Sequence, residues 1–241
     1  MEETNFQQPQ PQPAETQAKV LLPVVELFKK SFDAYYKKVW TYAGLILFGF
    51  IGVLVFLPLV LAGFLISYGP FSNYDFNITI ILIDVLLGLI GLFFCILIGL
   101  WFRVALFCIV KDQSLGIKES LKVAWRKIAS FFWIFILEGL AVLGGLILVI
   151  IPGIIFSIWF VFCAFVYIDE GTKGTGALKR SKQLVKGYWW PIFGRVLVIF
   201  IVAILLSWIK FFGTIINIFF VAPFTIVFLY TLYQDLKRVK G

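Results

Sequence analysis

Four ionisable side chains, Glu138, Arg195, Arg103 and Asp84, interrupt stretches of sequence that are otherwise apolar. An isolated charge at the centre of a bilayer costs about 2.5–3.5 kcal/mol even on permissive insertion scales, so such residues mark transport paths or structural pairs. Glu138 lies five residues beyond Trp133, and Arg195 lies five beyond Trp190. At 1.5 Å per residue both sit about 7 Å below one interface. Opposite signs at matched depth predict an intramembrane pair that fixes helix register, a role tied more to specificity than to stability. Arg103 either joins Glu138 in a polar path or snorkels its head to the interface, and snorkelling is the expectation. Asp84 stands about two turns in from the opposite surface. A channel mouth and a protonated, hydrogen-bonded carboxyl both fit it.

Other chemistry is scarce. The chain has no histidine, which removes imidazole acid–base catalysis, Ser-His-Asp triads and histidine metal sites together. Cys95, Cys108 and Cys163 all fall in apolar stretches at spacings that fit no metal framework, and they read as small buried hydrophobes. Asp169 and Glu170 are neighbours on one helix and do not share a face, so contacts with nearby lysines explain them better than catalysis. No catalytic constellation, metal site or cofactor is expected, and the chain does not read as an enzyme.

The elements that carry these residues follow from composition. Of 241 residues, 61% are hydrophobic and 14% charged, against about a quarter charged in soluble domains. Several runs exceed the roughly 18 apolar residues that mark a spanning helix. The expected fold is therefore all-α: a polytopic membrane protein with six spans in three hairpins. They run from about Trp40 to Ile66, Asn77 to Val110, Phe131 to Ile150, Ile154 to Ile168, Tyr188 to Ile209 and Thr214 to Tyr233. Pro58 should kink or end its helix, Pro223 should bend its own, and Ile151-Pro152-Gly153 reads as a turn. Gly139, Gly144 and Gly145 would permit close helix packing. Residues 1–19, rich in Gln, Pro and Glu, read as a disordered tail ahead of a membrane domain over 20–241. The acidic start, with no apolar run before the forties, does not read as a secretory signal.

Charge sets the orientation. Eighteen of the 21 cations fall in the first forty residues, the second-to-third and fourth-to-fifth connections, and the C-terminus. The 67–76 connection has none. The positive-inside rule then places both termini in the cytoplasm of a multi-pass cell-membrane protein.

The basic segments also share a register. FKKSFDAYYKKVW (28–40), LKVAWRKIASFFW (121–133) and LKRSKQLVKGYWW (178–190) align without gaps: Lys is second, a small residue fourth and Trp last in each. Apolar positions recur at i, i+3 and i+7, the spacing of one helical face. This predicts three interfacial amphipathic helices and an internal repeat over about 24–112, 116–170 and 174–236, related by a pseudo-threefold axis along the membrane normal. Lys29, Lys30, Lys37, Lys38, Lys122, Arg126, Lys127, Lys179, Arg180, Lys182 and Lys186 would contact anionic headgroups, and Trp40, Trp133, Trp189 and Trp190 would anchor at the interface.

IPGIIFSIWFVFCAFVYIDE followed by ALKRSKQLVKGYWWPIFG, over about 150–195, resembles the membrane domain of some bacterial glycerophosphoryl diester phosphodiesterases and related multi-span proteins. The resemblance implies a fold and a location. It does not imply the phosphodiesterase reaction, which belongs to a separate soluble barrel. The expected function is non-enzymatic engagement of anionic lipids, or of another membrane protein, through a basic cytosolic collar. The alternative is a small transporter with a polar path near Glu138, Arg195 and Arg103. The cations lie beside apolar spans, so a nucleic-acid partner is not expected.

Overall fold

The computed structural model describes residues 21–68, 78–148, 150–209 and 212–240. The 1–19 tail, Lys19, Lys210, most of the 67–76 connection and the side chain of Asp84 lie outside that description. The described residues are almost wholly helical and contain no strand. Five helical stretches are long and apolar enough to cross a membrane: Val85–Lys111, Ile117–Ile147, Ile150–Glu170, Trp189–Ser207 and Gly213–Lys240.

Helix α1 (Val24–Tyr36) starts after Pro23 and buries Leu27, Ser31 and Tyr35, one face at i, i+4 and i+8. That face is offset from the expected one, since Phe28 stays exposed at its edge and Leu27 is buried instead. Helices α2 (Val39–Tyr68) and α3 (Ile78–Lys111) follow as long apolar rods. Pro58 does not end α2, which runs on to Tyr68.

Helix α4 (Ile117–Leu148) joins the basic segment and the span into one unbroken rod of 32 residues, where a separate interfacial helix was expected. Its sequence has no Gly or Pro from Ile117 to Glu138 to stop the helix. The corresponding third segment does break: α7 (Thr175–Val185) is divided from α8 (Trp189–Ser207) at Gly187, whose φ of 87° favours glycine.

Ile151, Pro152 and Gly153 are not the turn. They form the first turn of α5 (Ile150–Phe160), where a proline lacks no needed donor. Gly145 and Gly153 mark the point where α4 crosses α5: a Cβ built on Gly145 would sit 3.0 Å from the Gly153 Cα. Gly139 and Gly144 have nothing within 4 Å of such a Cβ, so of the three expected packing glycines only Gly145 serves.

The fourth apolar stretch is broken after Phe160 and resumes as α6 (Cys163–Glu170), which ends on Gly171 in the left-handed region. Beyond α8, the short α9 (Phe212–Ile216) leads through a π-helical turn, Asn217–Val221, into α10 (Ala222–Lys240). Pro223 has no N–H and its ring crowds the carbonyl four residues back. The helix answers by widening, with Ala222 N–H bonded to Asn217 O five residues away. Thus Pro223 widens the helix where a simple bend was expected.

The core is gathered at one end. Val104–Val110 of α3, Phe162–Ile168 around α6, Leu184 and Val185 of α7, and Val227 through Val239 of α10 supply most of the buried side chains. Each lies where its helix approaches a basic connection. The other half of the molecule reverses the soluble pattern. Leu82, Leu86, Leu89 and Phe93 of α3, with Leu140, Leu143 and Ile147 of α4 and Phe200 and Leu205 of α8, are large, apolar and exposed. Rods so apolar and so little buried need an apolar surrounding, which a bilayer supplies.

Candidate functional site

The basic end is knotted by its acids. Arg180 of α7 grips Glu170 with both forks, Nε to Oε2 at 2.9 Å and Nη2 to Oε1 at 3.3 Å. The hydrogen bond and charge of Glu170 push the Arg180 guanidinium still further above its ordinary range. Lys237 of α10 reaches Asp169 at 2.5 Å, and the Tyr233 hydroxyl donates to both carboxylates at 3.2 Å. The two adjacent acids therefore join α6, α7 and α10, and their main lysine partner comes from the far end of the chain.

Arg195 is buried but does not meet Glu138. Its Nη2 donates to Leu22 O at 2.7 Å and its Nη1 to Pro191 O at 2.9 Å. Leu22 N–H in turn donates to Asp235 Oδ2 at 2.8 Å, and Arg238 closes on Asp235 Oδ1 at 2.7 Å. The expected Glu138–Arg195 pair is thus replaced by a clamp on the Leu22 peptide, built from α8 and α10. The reason is rotational: equal depth does not make two helices turn the same face toward each other, and α10 presents a nearer acid.

The lipid-contact residues divide. Lys29, Lys30, Lys37, Lys122, Arg126, Lys179, Lys182 and Lys186 are exposed, while Lys38, Lys127 and Arg180 are half-buried. Lys182 lies over the Trp159 ring, 4.0 Å from its centroid, and Arg180 is committed to Glu170. No ion pair engages the other nine of these residues among the described residues. Trp40, Trp133 and Trp190 are 87%, 56% and 74% exposed. Trp189 is turned inward, stacked on Phe193 at 5.0 Å and 7°. The small residues at the fourth matched position, Ser31, Ala124 and Ser181, are all fully buried.

Ser181 does more than fit. Its hydroxyl donates to Trp159 O at 2.7 Å and accepts from Phe162 N–H at 3.3 Å, filling the break between α5 and α6. Tyr35 does similar work at the π turn, donating to Phe219 O at 3.5 Å, the carbonyl that Pro223 leaves without its helical partner. Burial pushes the Tyr35 phenol up to about 12, so it stays a donor at neutral pH. Neither role was expected from sequence. The Phe219 vacancy was discoverable, being four residues before a proline; the Ser181 bond was not, because nothing local marks the α5–α6 break.

An open-sided cavity of ≈ 630 Å³ lies between the helices, with walls from α3, α4, α5, α6, α8, the π turn and α10. Arg103 and Glu138 both line it, among Phe107, Phe135, Phe165 and Leu229. The Arg103 guanidinium lies over the Phe135 ring at 5.1 Å, while the residue as a whole stays exposed, so it borders the cavity and keeps the surface access that snorkelling requires. Arg103 also borders a smaller apolar cleft of ≈ 250 Å³ beside α2. Arg195 is not among the residues lining the larger cavity. Cys108 and Cys163 are buried free thiols, and Cys95 is half-buried. Among the described residues no group of three or more potential metal ligands occurs.

Comparison with known proteins places no relative beside this architecture: no family model, no curated protein and no solved structure matches the chain.

Proposed function

We propose that this chain is a non-enzymatic, six-span membrane protein whose basic end faces the cytoplasm and engages anionic lipid headgroups. The observation that carries the reading is the combination at one end of the molecule: exposed cations without ion-pair partners among the described residues, beside exposed Trp40, Trp133 and Trp190. Each cation near an anionic surface contributes about 1 kcal/mol, and the tryptophans set the depth at which the lysines meet phosphate. Cations locked into the Asp169–Glu170 knot hold the helices in place, leaving the others to the lipid.

The finer topology belongs to the same proposal. Three hairpins related by a pseudo-threefold axis would place all three basic segments on one face, and the buried Ser31, Ala124 and Ser181 accord with that register. The resemblance of 150–195 to the membrane domain of glycerophosphoryl diester phosphodiesterases accords with a protein that works beside lipid headgroups.

The test is native mass spectrometry of the full chain extracted with its membrane lipids. It compares the wild type with a variant carrying Lys29, Lys30, Lys122, Arg126, Lys179 and Lys186 changed to Gln. These six leave the Arg180–Glu170 and Lys237–Asp169 pairs intact. Anionic phospholipid adducts should be retained by the wild type and largely lost by the variant. Equal retention in both, or none in either, overturns the reading.

A further inference from the structure

The cavity is not uniformly polar or apolar, and its polar groups fall into two kinds. Ser157 Oγ donates to Ile154 O at 2.8 Å, and Thr225 Oγ1 donates to Val221 O at 2.8 Å. The Asn217 amide donates to Ala203 O, Ser207 Oγ and Gly213 O at 3.2, 2.9 and 3.1 Å. These groups are satisfied by the protein itself. Arg103 and Glu138 differ: neither makes a hydrogen bond or a close ion pair among the described residues, and apart from the Phe135 ring under Arg103 and the attraction between the two charges themselves, both are left facing the same cavity. Elsewhere in this protein charges at comparable positions are paired off, as Arg195 and Asp235 are around Leu22.

We propose that the cavity is a binding site for a zwitterion, with its anionic oxygens on Arg103 and its ammonium on Glu138. Two opposite charges facing one cavity leave no net charge to balance, so a simple anion would answer Arg103 and be repelled by Glu138. A ligand carrying both signs answers both. A planar guanidinium suits phosphate or carboxylate oxygens, and a carboxylate accepts from an ammonium. The volume falls within the range of small-ligand pockets, and walls of Phe107, Phe165 and Leu229 suit an apolar portion. From Ala222 to Leu229 the lining follows α10 for about 10 Å at 1.5 Å per residue, and the π turn from Asn217 extends it, which suits an amphiphile lying along the bundle.

A membrane phospholipid with an aminoethyl phosphate headgroup and a free water-soluble zwitterion share this chemistry. The full chain, freed of lipid in detergent, is titrated with phosphatidylethanolamine, with phosphatidylglycerol and with phosphoethanolamine, and bound ligand is counted by native mass spectrometry. Phosphatidylethanolamine should bind at least tenfold more tightly than phosphatidylglycerol in the presence of the six collar substitutions, and Arg103→Gln and Glu138→Gln should each abolish that preference. Binding of phosphoethanolamine with the same dependence on both residues supports the site and assigns it to a soluble ligand; binding of the lipid alone assigns it to the membrane. The double variant Arg103→Met/Glu138→Met leaves no uncompensated charge, and it should fold and bind neither. Binding that persists in the double variant, or that depends on Arg103 alone, or absence of binding by either zwitterion to the wild type, overturns the proposal.

Discussion

At the scale of single residues, the most telling side chain is a serine. Ser181 is one hydroxyl with one proton and two lone pairs, and both functions are used where the α5 ladder stops: it donates to Trp159 O and accepts from Phe162 N–H. The hydroxyl thereby joins the two backbone groups on either side of the break. Ser181→Ala should therefore cost about 1–3 kcal/mol, the penalty of leaving buried polar groups unmade, read as a fall in thermal midpoint in detergent. Ser31→Ala is the control. Its hydroxyl bonds only to Leu27 O, within its own helix, and should cost distinctly less. Sequence pointed to Ser181 as a small residue in a repeated register, which is a statement about space. Its hydrogen-bonding role depends on a helix break about twenty residues earlier and could be seen only once α7 was docked.

At the scale of elements, glycine placement decides which helices stay apart and which fuse. Gly187 separates α7 from α8, whereas α4 has no equivalent and runs straight through. Gly145 and Gly153 let the α4–α5 hairpin close. A Cβ at Gly145 would meet the Phe156 ring at 2.8 Å as well as the Gly153 backbone. Gly145→Ala should force the two helices apart at a cost of about 1–3 kcal/mol, the usual range for overpacking, while Gly139→Ala and Gly144→Ala, with open space around them, should leave the thermal midpoint nearly unchanged. Long apolar runs were legible because hydrophobicity adds along the chain. Ile151-Pro152-Gly153 reads as a turn in sequence yet begins a helix, because a proline can open a helix as readily as it ends one.

At the scale of the whole molecule, the core concentrates at the basic end and the exposed apolar surface at the other. The proposed orientation makes a direct prediction. In a variant without native cysteines, a cysteine replacing exposed Lys122 should resist a membrane-impermeant maleimide on intact cells and react after permeabilisation. One replacing Ser72, in the connection without cations, should react in both conditions. The reverse pattern would invert the topology. Both sites labelling alike in intact cells would remove the basis for a cytosolic collar.

Sequence by itself determined the all-helical class, the positions of the apolar rods and the gathering of cations into a few connections, because these depend on sums over neighbouring residues. Tertiary structure alone decided which charge meets which. Arg195 and Glu138 stand at the same distance from their tryptophans, yet each helical residue turns by about 100°, at 3.6 residues per turn. Depth therefore fixes only one of the coordinates a contact requires. Helix packing supplied the rest: Arg195 faces the Leu22 peptide that Asp235 also holds, and Glu138 shares a cavity wall with Arg103.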